Sequence, residues 1–185
     1  MPELLLMTTE EKMQKSVDAL SKAYINVRTG KANPAVLNSI MIEYWGTNTP
    51  LYQLASISAP DPQTIAVKPY DKSLVKQIEK AILVADLGFN PNNDGEIVRI
   101  PIPPLNEQTR KDLVKEVHKM AEENKVAIRN IRRDAIEQLK KMEKDGSISE
   151  DALHQYSDEV QKLTDKYIAE IDKKAKEKES AIMSF

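Results

Sequence analysis

A cluster of arginine and lysine side chains in the second half of the sequence has the composition of a phosphate-binding surface. The cluster comprises Lys125, Arg129, Arg132, Arg133 and Lys140. On an α-helix these five positions fall within about 100° on one side. The planar guanidinium fork of arginine can donate two parallel hydrogen bonds to a phosphate, whereas lysine meets it as a point charge. The spacing therefore indicates a nucleic-acid interface on one face of a helix.

The same face can also be interpreted as an ordinary solvated helix surface. Acidic side chains at Glu122, Asp134 and Glu137 stand close enough in sequence to pair with the cations. The whole chain gives no bulk attraction for nucleic acid, because 27 Lys and Arg residues are offset by 29 Asp and Glu residues, for a formal charge of -2. Binding to RNA would therefore depend on this local patch.

Other residues give little support for catalysis or for a metal centre. The five glycines are isolated from one another, so no glycine-rich loop is available to hold a phosphate. His118 and His154 lack the spacing of metal ligands, and the absence of cysteine removes thiol nucleophiles and thiolate metal sites. We expect a protein that is not an enzyme and needs no metal or cofactor. An enzymatic alternative rests only on generic polar residues.

Two further groups of residues have both a ligand-binding and a structural interpretation. The segment 92–96 carries oxygen donors around Gly95 but lacks the spacing of a calcium loop, so a hairpin turn is predicted. The aromatic side chains of Trp45, Tyr44 and Tyr52 could stack on nucleic-acid bases or could be core and cross-strand pairs. The sequence leaves the role of these aromatics open.

The basic face requires a long helix, and the distribution of proline provides for one. Nine of the ten prolines lie between residues 31 and 104, and the 81 residues after Pro104 contain none. Proline interrupts helix interiors, so the last part of the chain can run as long helices. We predict helices capped by Asn106 and by Ser149, separated at Gly146, and a first helix with a capping box at Thr8 and Glu11.

Each predicted helix carries an apolar seam; in the first two helices its members alternate at spacings of three and four residues. In the first helix the seam comprises Met13, Val17, Leu20, Tyr24 and Val27. In the second it comprises Val114, Val117, Ala121, Asn124, Ile128, Ile131, Ala135, Gln138 and Met142. In the third it comprises Leu153, Tyr156, Val160, Leu163, Tyr167, Ile171 and Ala175. Such seams are buried in a three-helix bundle or in an intermolecular coiled coil, and the large tyrosines favour the bundle.

The middle of the sequence is typical of a small mixed α/β domain with mostly antiparallel strands. Strands are predicted over 39–45, 56–59, 64–68 and 96–102, with turns over 46–50 and 60–62. Between the strands, Asp71 is expected to cap a helix that ends at Gly88. The fold class is therefore α+β: an elongated three-helix bundle with an inserted α/β domain.

The predicted domain boundaries follow from this insertion. The bundle comprises residues 1–30 and 105–185, and the inserted domain comprises residues 31–104. Two chain segments join the domains, near 29–31 and 103–105, so the insert is expected at one end of the bundle with some freedom to swing.

No apolar run is long enough for a membrane span, and we expect a cytoplasmic protein that does not bind membranes.

Several stretches of the sequence, taken in order, resemble the motifs of the ribosome recycling factor family. The clearest is VAIRNIRRDA over residues 126–135. The others are RTGKANP over 28–34, EYWGT over 43–47, TPL over 49–51, QLA over 53–55, DLG over 86–88, NP over 90–91 and PIPPL over 101–105. These motifs span nearly the whole chain and are highly specific in combination.

The resemblance implies an L-shaped, two-domain, monomeric factor that binds the ribosome after peptide release. With elongation factor G and GTP hydrolysis by that factor, it would separate the subunits and release mRNA and tRNA. The positions that match the family's contacts with large-subunit ribosomal RNA are Arg129 and Arg132, followed by Arg133 and Arg110, and Lys125 joins them on the basic face. Residues matching the hinge are Thr29, Gly30, Lys31, Pro103, Pro104 and Leu105.

Two departures from the family pattern stand out. The segment 106–110 lacks an arginine that commonly accompanies Arg110, so weaker RNA contact is expected there, and Ile136 stands where a polar residue is usual.

A different class of function also remains open on the residues alone. A helical scaffold could use an exposed seam to recruit a partner helix, with the small domain as an adaptor.

Overall fold

The computed structural model describes residues 1–184 and divides into two compact units. Unit 1 consists of Met1–Tyr24 and the chain from Lys111 onward, and unit 2 consists of Ile25–Arg110. Unit 2 therefore takes in a few more residues at each end than the predicted insert of 31–104. The predicted hinge segments lie inside unit 2.

Long helices and a small antiparallel sheet give the chain the predicted α+β class. The α-helices of the described residues are α1 (Pro2–Ile25), α2 (Leu51–Leu54), α3 (Val75–Val84), α4 (Glu107–Lys144) and α5 (Glu150–Met183). The strands are β1 (Met41–Tyr44), β2 (Thr47–Pro50), β3 (Ala55–Asp61), β4 (Thr64–Pro69), β5 (Asn92–Asn93) and β6 (Val98–Pro101). Short 3-10 helices cover Pro34–Leu37 and Lys72–Leu74.

Side-chain hydrogen bonds between α1 and α4 show that these helices run in opposite directions in unit 1. The Tyr24 hydroxyl donates to the carbonyl of Val117 at 2.8 Å. Nearer the start of α1, the amide of Asn124 donates to the carbonyl of Ser16 at 2.9 Å. As the residue number falls in α1, it rises in α4, which is the register of antiparallel neighbours.

The same reasoning places α5 parallel to α1. The Tyr156 hydroxyl donates to the Glu3 carboxylate at 2.8 Å, and the Tyr167 hydroxyl donates to the Glu10 carboxylate at 3.0 Å. Residue numbers therefore rise together in the two helices. Unit 1 is an up-down-up bundle of three helices, as the apolar seams predicted.

The three apolar seams face one another inside unit 1. The buried residues of α1 are Leu5, Thr9, Met13, Val17, Leu20 and Tyr24. Those of α4 are Val117, Ala121, Ile128, Ala135 and Leu139, and those of α5 are Val160, Thr164, Tyr167, Ile171, Ala175 and Ile182. The central part of each seam is buried within unit 1 and is therefore not available to a partner helix, whereas seam members such as Ile131 and Leu163 are half-buried. Val27, predicted in the first seam, lies beyond the end of α1 and in unit 2.

One position of the predicted α4 seam is wrong. Gln138 is exposed, and its neighbour Leu139 is fully buried. A straight α-helix has 3.6 residues per turn, so a strict heptad drifts around it and the four-residue step from Ala135 to Leu139 keeps the apolar side inward.

The helix ends follow local side-chain signals in two of three cases. Asn106 accepts a hydrogen bond from the backbone N–H of Thr109 at 2.7 Å, and Ser149 accepts one from that of Ala152 at 3.1 Å, as predicted. The capping box predicted at Thr8 is wrong, because α1 already begins at Pro2 and the Thr8 hydroxyl donates to the carbonyl of Leu4. A threonine inside a helix can make this bond without ending the helix.

Unit 2 has a four-stranded antiparallel sheet in the order β3-β4-β6-β5, and a separate hairpin formed by β1 and β2. Helix α3 presents Val75, Ile78 and Ile82 to the apolar core that the sheet residues Ile65 and Ile100 share. Asp71 caps the preceding 3-10 helix by accepting from the N–H of Ser73, so its predicted capping role is confirmed one step before α3.

The turn predicted over residues 46–50 is largely wrong. The chain reverses at Trp45 and Gly46, and residues 47–50 form β2 paired to β1. Similarly, Pro60 and Asp61 still belong to β3, and the reversal follows at Pro62 and Gln63. Proline and threonine at a sheet edge are compatible with a strand, so composition alone placed these turns too broadly.

The two chain segments that lead into and out of the sheet meet within unit 2. The N–H of Ala32 donates to the carbonyl of Pro62, and the N–H of Ile102 donates to the carbonyl of Gln63, both at 2.7 Å. Gly30 has a φ of +76°, and a Cβ added there would lie 3.2 Å from the Cγ of buried Leu105. Glycine is therefore required at this position both by the backbone angle and by the close approach of Leu105.

Replacing Tyr24 by phenylalanine tests the hydrogen bond between α1 and α4. Tyr24 is only 5% exposed, and burial raises the pKa of its hydroxyl to about 12, so the group stays a donor at neutral pH. We expect Tyr24→Phe to lower the free energy of unfolding by about 1 kcal/mol in urea denaturation. Tyr52→Phe is the control, since this exposed hydroxyl makes no hydrogen bond within residues 1–184. Equal stability of the two variants would contradict the assignment.

Gly30→Ala tests the close packing of the two chain segments. Gly46 has the same φ of +76° but nothing within 4 Å of its added Cβ, so Gly46→Ala measures the backbone strain alone. We expect about 1 kcal/mol of destabilisation from Gly46→Ala. Gly30→Ala should cost about 1 kcal/mol more, because Leu105 must move. The measurement is the difference between the urea midpoints of the two variants, and no difference would contradict the contact.

Candidate nucleic-acid interface

The basic face of α4 lies in unit 1 and contains two fully available guanidinium groups. Arg129 and Arg133 are exposed, one helical turn apart on the same side of α4. Within residues 1–184 neither side chain makes a hydrogen bond or an ion pair. Both groups therefore keep their full charge and all their donors for an outside ligand. The neighbouring carboxylates of the described residues do not pair with them.

Arg132 is held differently from its two neighbours. Its side chain is half-buried, and one terminal nitrogen donates to the Gln161 amide oxygen at 2.9 Å. The Nε atom is buried without a hydrogen-bond partner in the described part of the chain. Arg132 is thus fixed against α5, yet no carboxylate within the described residues neutralises its charge.

Lys125 differs from these arginines because its charge is already paired within the bundle. Its side chain is only 15% exposed and forms ion pairs with Asp172 on α5 and with Glu122 at 3.3 Å. The hydrogen bond that Lys125 donates to Asp172 is the largest influence that raises the pKa of Lys125. The sequence placed Lys125 on the basic face correctly by angle, but its ammonium group joins α4 to α5 and is not offered to a ligand.

The remaining positions of this side differ in character. Lys140 is exposed and makes no ion pair within residues 1–184, so it extends the positive surface toward the end of α4. Ile136 is half-buried and packs against a core cluster that contains Ala135 and Leu139. Its apolar side chain is therefore explained by packing at the edge of the bundle.

Residues of α5 contact three basic side chains of α4. His118 pairs with Glu179 at 3.1 Å, Lys125 pairs with Asp172, and Arg132 contacts Gln161. Sequence analysis did not find these α5 partners. Gln161, Asp172 and Glu179 are ordinary polar helix residues, and only the antiparallel register of the two helices shows what each one faces.

The other residues predicted to contact RNA or to form a hinge lie in unit 2. Arg110 is half-buried at the end of that unit. Among the hinge residues, Gly30 and Leu105 are in contact, as described above. Their predicted roles in RNA binding and in domain motion remain predictions.

The aromatic residues of unit 2 do not form one stacking platform. Trp45 is 87% exposed at the tip of the β1–β2 hairpin with a φ of +52°. It meets Tyr44 edge to face at a centroid distance of 6.0 Å. Tyr52 is exposed and makes no ring contact with either residue in the described chain. The question of what Trp45 contacts stays open.

The oxygen-rich segment 92–96 forms the predicted hairpin turn. Asp94 accepts hydrogen bonds from the N–H groups of Glu96 and Ile97 and pairs with Arg99 at 2.7 Å. The bond from Arg99 is the largest influence that holds the pKa of Asp94 far below its ordinary value. This carboxylate is used within its own turn. Residues 1–184 contain no cluster of three or more His, Cys, Asp or Glu side chains suited to a metal ion.

None of the helices within residues 1–184 is both long enough and apolar enough to cross a lipid bilayer.

Lys125→Met tests the assignment of this cation to the bundle. Methionine keeps the aliphatic packing and removes the charge, leaving Asp172 without its partner. We expect the free energy of unfolding to fall by about 1 kcal/mol, since the pair is partly shielded from solvent. Lys140→Met is the matched control, and for this exposed residue on the same helix we expect a change below about 0.5 kcal/mol. The free energies of unfolding of both variants are measured by urea denaturation. An unchanged value for Lys125→Met would contradict a stabilising role of Lys125 in the bundle.

Comparison with known proteins places this geometry in one family. The family profile described as ribosome recycling factor matches residues 9–183. A ribosome-recycling factor from Geobacillus sp. strain WCH70 is 52% identical over 183 residues, which are 99% of each chain. A ribosome-recycling factor from Shouchella clausii strain KSM-K16 is 54% identical over 172 residues, which are 93% of each chain.

Solved structures agree with the sequence comparisons. The solution structure of a ribosome recycling factor is 38% identical, with a TM-score of 0.85 that covers 100% of this chain and 98% of the other. A second match covers 100% of both chains at 46% identity and a TM-score of 0.68. It comes from models of the T. thermophilus ribosome recycling factor and the E. coli elongation factor G bound to the E. coli post-termination complex. The prediction from the sequence motifs is confirmed, and the chain belongs to the ribosome recycling factor family.

Proposed function

We propose that this chain recycles ribosomes: it binds the post-termination ribosome and, with elongation factor G, promotes dissociation into subunits and release of mRNA and tRNA. The observation that carries the proposal is the family match over residues 9–183, combined with unneutralised arginines at the matching positions of α4. The chain itself is not an enzyme, because GTP hydrolysis belongs to elongation factor G.

The large-subunit ribosomal RNA is the proposed ligand of the basic face of α4. Arg129 and Arg133 are exposed and unpaired within the described residues, and Arg132 carries an unneutralised charge beside them. Phosphate contacts of this kind give much of the affinity of proteins for nucleic acids and make it dependent on salt. Lys125 is left out of the interface because Asp172 and Glu122 already hold its ammonium group.

The proposed mechanism uses α4 as a stiff support. The helix contains 38 residues, which corresponds to a length of about 57 Å, and much of it is packed against α1 and α5. The chain passes between the units at residues 24–25 and 110–111. We propose that motion occurs near residues 29–31 and 103–105, inside unit 2, while the bundle stays anchored. Force would come from the GTP cycle of elongation factor G. We further propose that the free protein is a cytoplasmic monomer.

Subunit splitting, followed by light scattering, tests the proposed function. The purified chain is mixed with post-termination ribosomes, a matched elongation factor G and GTP. We expect splitting to depend on all three components. The double variant Arg129→Ala, Arg133→Ala should require at least about tenfold more protein for half-maximal splitting, because a hydrogen bond to a charged group such as phosphate contributes about 1.5 to 3 kcal/mol. Its maximal rate at saturation should be close to that of the unchanged chain.

A matched loss of charge elsewhere is the control for this experiment. Lys12→Ala combined with Lys22→Ala removes from α1 two exposed cations that make no ion pair within the described residues, and should leave the concentration dependence unchanged. Failure of the unchanged chain to split ribosomes would reject the recycling function. Equal concentration dependence of the two double variants would reject the arginine interface and leave the recycling function standing.

A further inference from the structure

We propose that Gln161 is a positioning residue for RNA binding: its neutral amide orients the Arg132 guanidinium without taking the positive charge away from a phosphate. This inference deepens the proposed function and rests on it. Gln161 touches no ligand in the proposal, and it acts only through Arg132.

Two consecutive hydrogen bonds connect Asp165 and Gln161 on α5 to Arg132 on α4. The amide oxygen of Gln161 accepts a hydrogen bond from a terminal nitrogen of Arg132 at 2.9 Å. The amide nitrogen of Gln161 donates to the Asp165 carboxylate, one turn further along α5, also at 2.9 Å. Asp165 therefore fixes which end of the amide faces Arg132, and the amide in turn fixes one edge of the guanidinium.

The burial of Arg132 lowers the stability of the free chain, so its contact with Gln161 is better explained by ligand binding. The side chain is half-buried, and its Nε has no hydrogen-bond partner within the described residues. Leaving a buried donor unsatisfied is unfavourable. Holding a long side chain in one conformation also costs entropy, and that loss then need not occur when the phosphate binds. Arg129 and Arg133 are exposed and lack such an arrangement.

The neutrality of Gln161 is the distinctive feature. At two other contacts between α4 and α5, carboxylates of Asp172 and Glu179 face Lys125 and His118. At Arg132, α5 instead presents an amide, which accepts a hydrogen bond and carries no charge. A carboxylate at this point would form an ion pair with the guanidinium and compete with an RNA phosphate.

Two substitutions separate orientation from charge, and both are measured by binding of the full chain to isolated large ribosomal subunits. Gln161→Met has a similar length and lacks the acceptor, so Arg132 must be immobilised when RNA binds, and affinity should fall about threefold to tenfold, the cost of ordering one long side chain. Gln161→Glu keeps the acceptor and adds a negative charge, so affinity should fall at least as much, with a weaker dependence on salt. Both variants should stay folded, with a free energy of unfolding in urea within about 1 kcal/mol of that of the unchanged chain.

A double-mutant cycle shows whether Gln161 acts through Arg132. In an Arg132→Ala background, Gln161→Met should change affinity by less than about twofold. Gln14→Met is the matched control, because Gln14 makes the same four-residue amide bond to Asp18 on α1 at 2.8 Å with no arginine involved. This control should bind like the unchanged chain.

The outcomes distinguish failure of this inference from failure of the proposed function. Unchanged affinity of Gln161→Met, while Arg132→Ala binds weakly, would overturn the positioning role and leave the RNA interface intact. An equal loss from Gln161→Met with and without Arg132 would also overturn it, since the effect would then not pass through the arginine. Unchanged affinity of Arg132→Ala would remove Arg132 from the proposed interface and the inference with it.

Discussion

The register of the three helices in unit 1 is the constraint on which the rest depends. Each helix buries one side against the other two, and buried tyrosines fix their alignment along the axis. The hydrogen bonds from Tyr24 to Val117 and from Tyr167 to Glu10 show that α1 is in step with both partners. Since α4 cannot rotate without exposing Ile128 or Leu139, the direction of every other side chain on it is determined.

This register sorts the cations of α4 into two groups with different physical roles. Where α5 presents a carboxylate, as Asp172 does to Lys125, the charge is neutralised and contributes to the contact between helices. Where α5 presents an amide, or where the side chain faces solvent, the charge remains. Arg129, Arg132, Arg133 and Lys140 belong to this second group, so a chain with almost balanced total charge still has a locally positive surface.

Local signals in the sequence predicted the parts of the structure that depend on neighbouring residues. The caps at Asn106 and Ser149 and the turn around Gly95 arise from side chains that bond the backbone two or three residues away. The apolar periodicity predicted the three helices because burial follows a period near 3.6 residues. Signals of the same type also misled at Thr8, where the hydroxyl had an alternative partner inside the helix.

The parts that sequence analysis could not provide depend on residues distant in the chain. The position of Lys125 on the basic face was correct, yet its pairing with Asp172 depends on how α5 aligns with α4. The role of Leu139 in place of Gln138 depends on which side of the helix the bundle covers. Family motifs singled out Arg129 and Arg132 as candidate RNA contacts without distinguishing their environments, and only the structure separates exposed Arg129 from half-buried Arg132.

The central claim is that a few unneutralised arginines on a rigid helix bind ribosomal phosphates. Its most direct test is the salt dependence of the equilibrium binding of the chain to isolated large subunits. For a chain that lacks the side-chain charges of both Arg129 and Arg133, we expect the slope of log affinity against log salt to be smaller by about two, one for each lost phosphate contact. An unchanged slope, with the protein folded, would show that these arginines do not bind ribosomal phosphates.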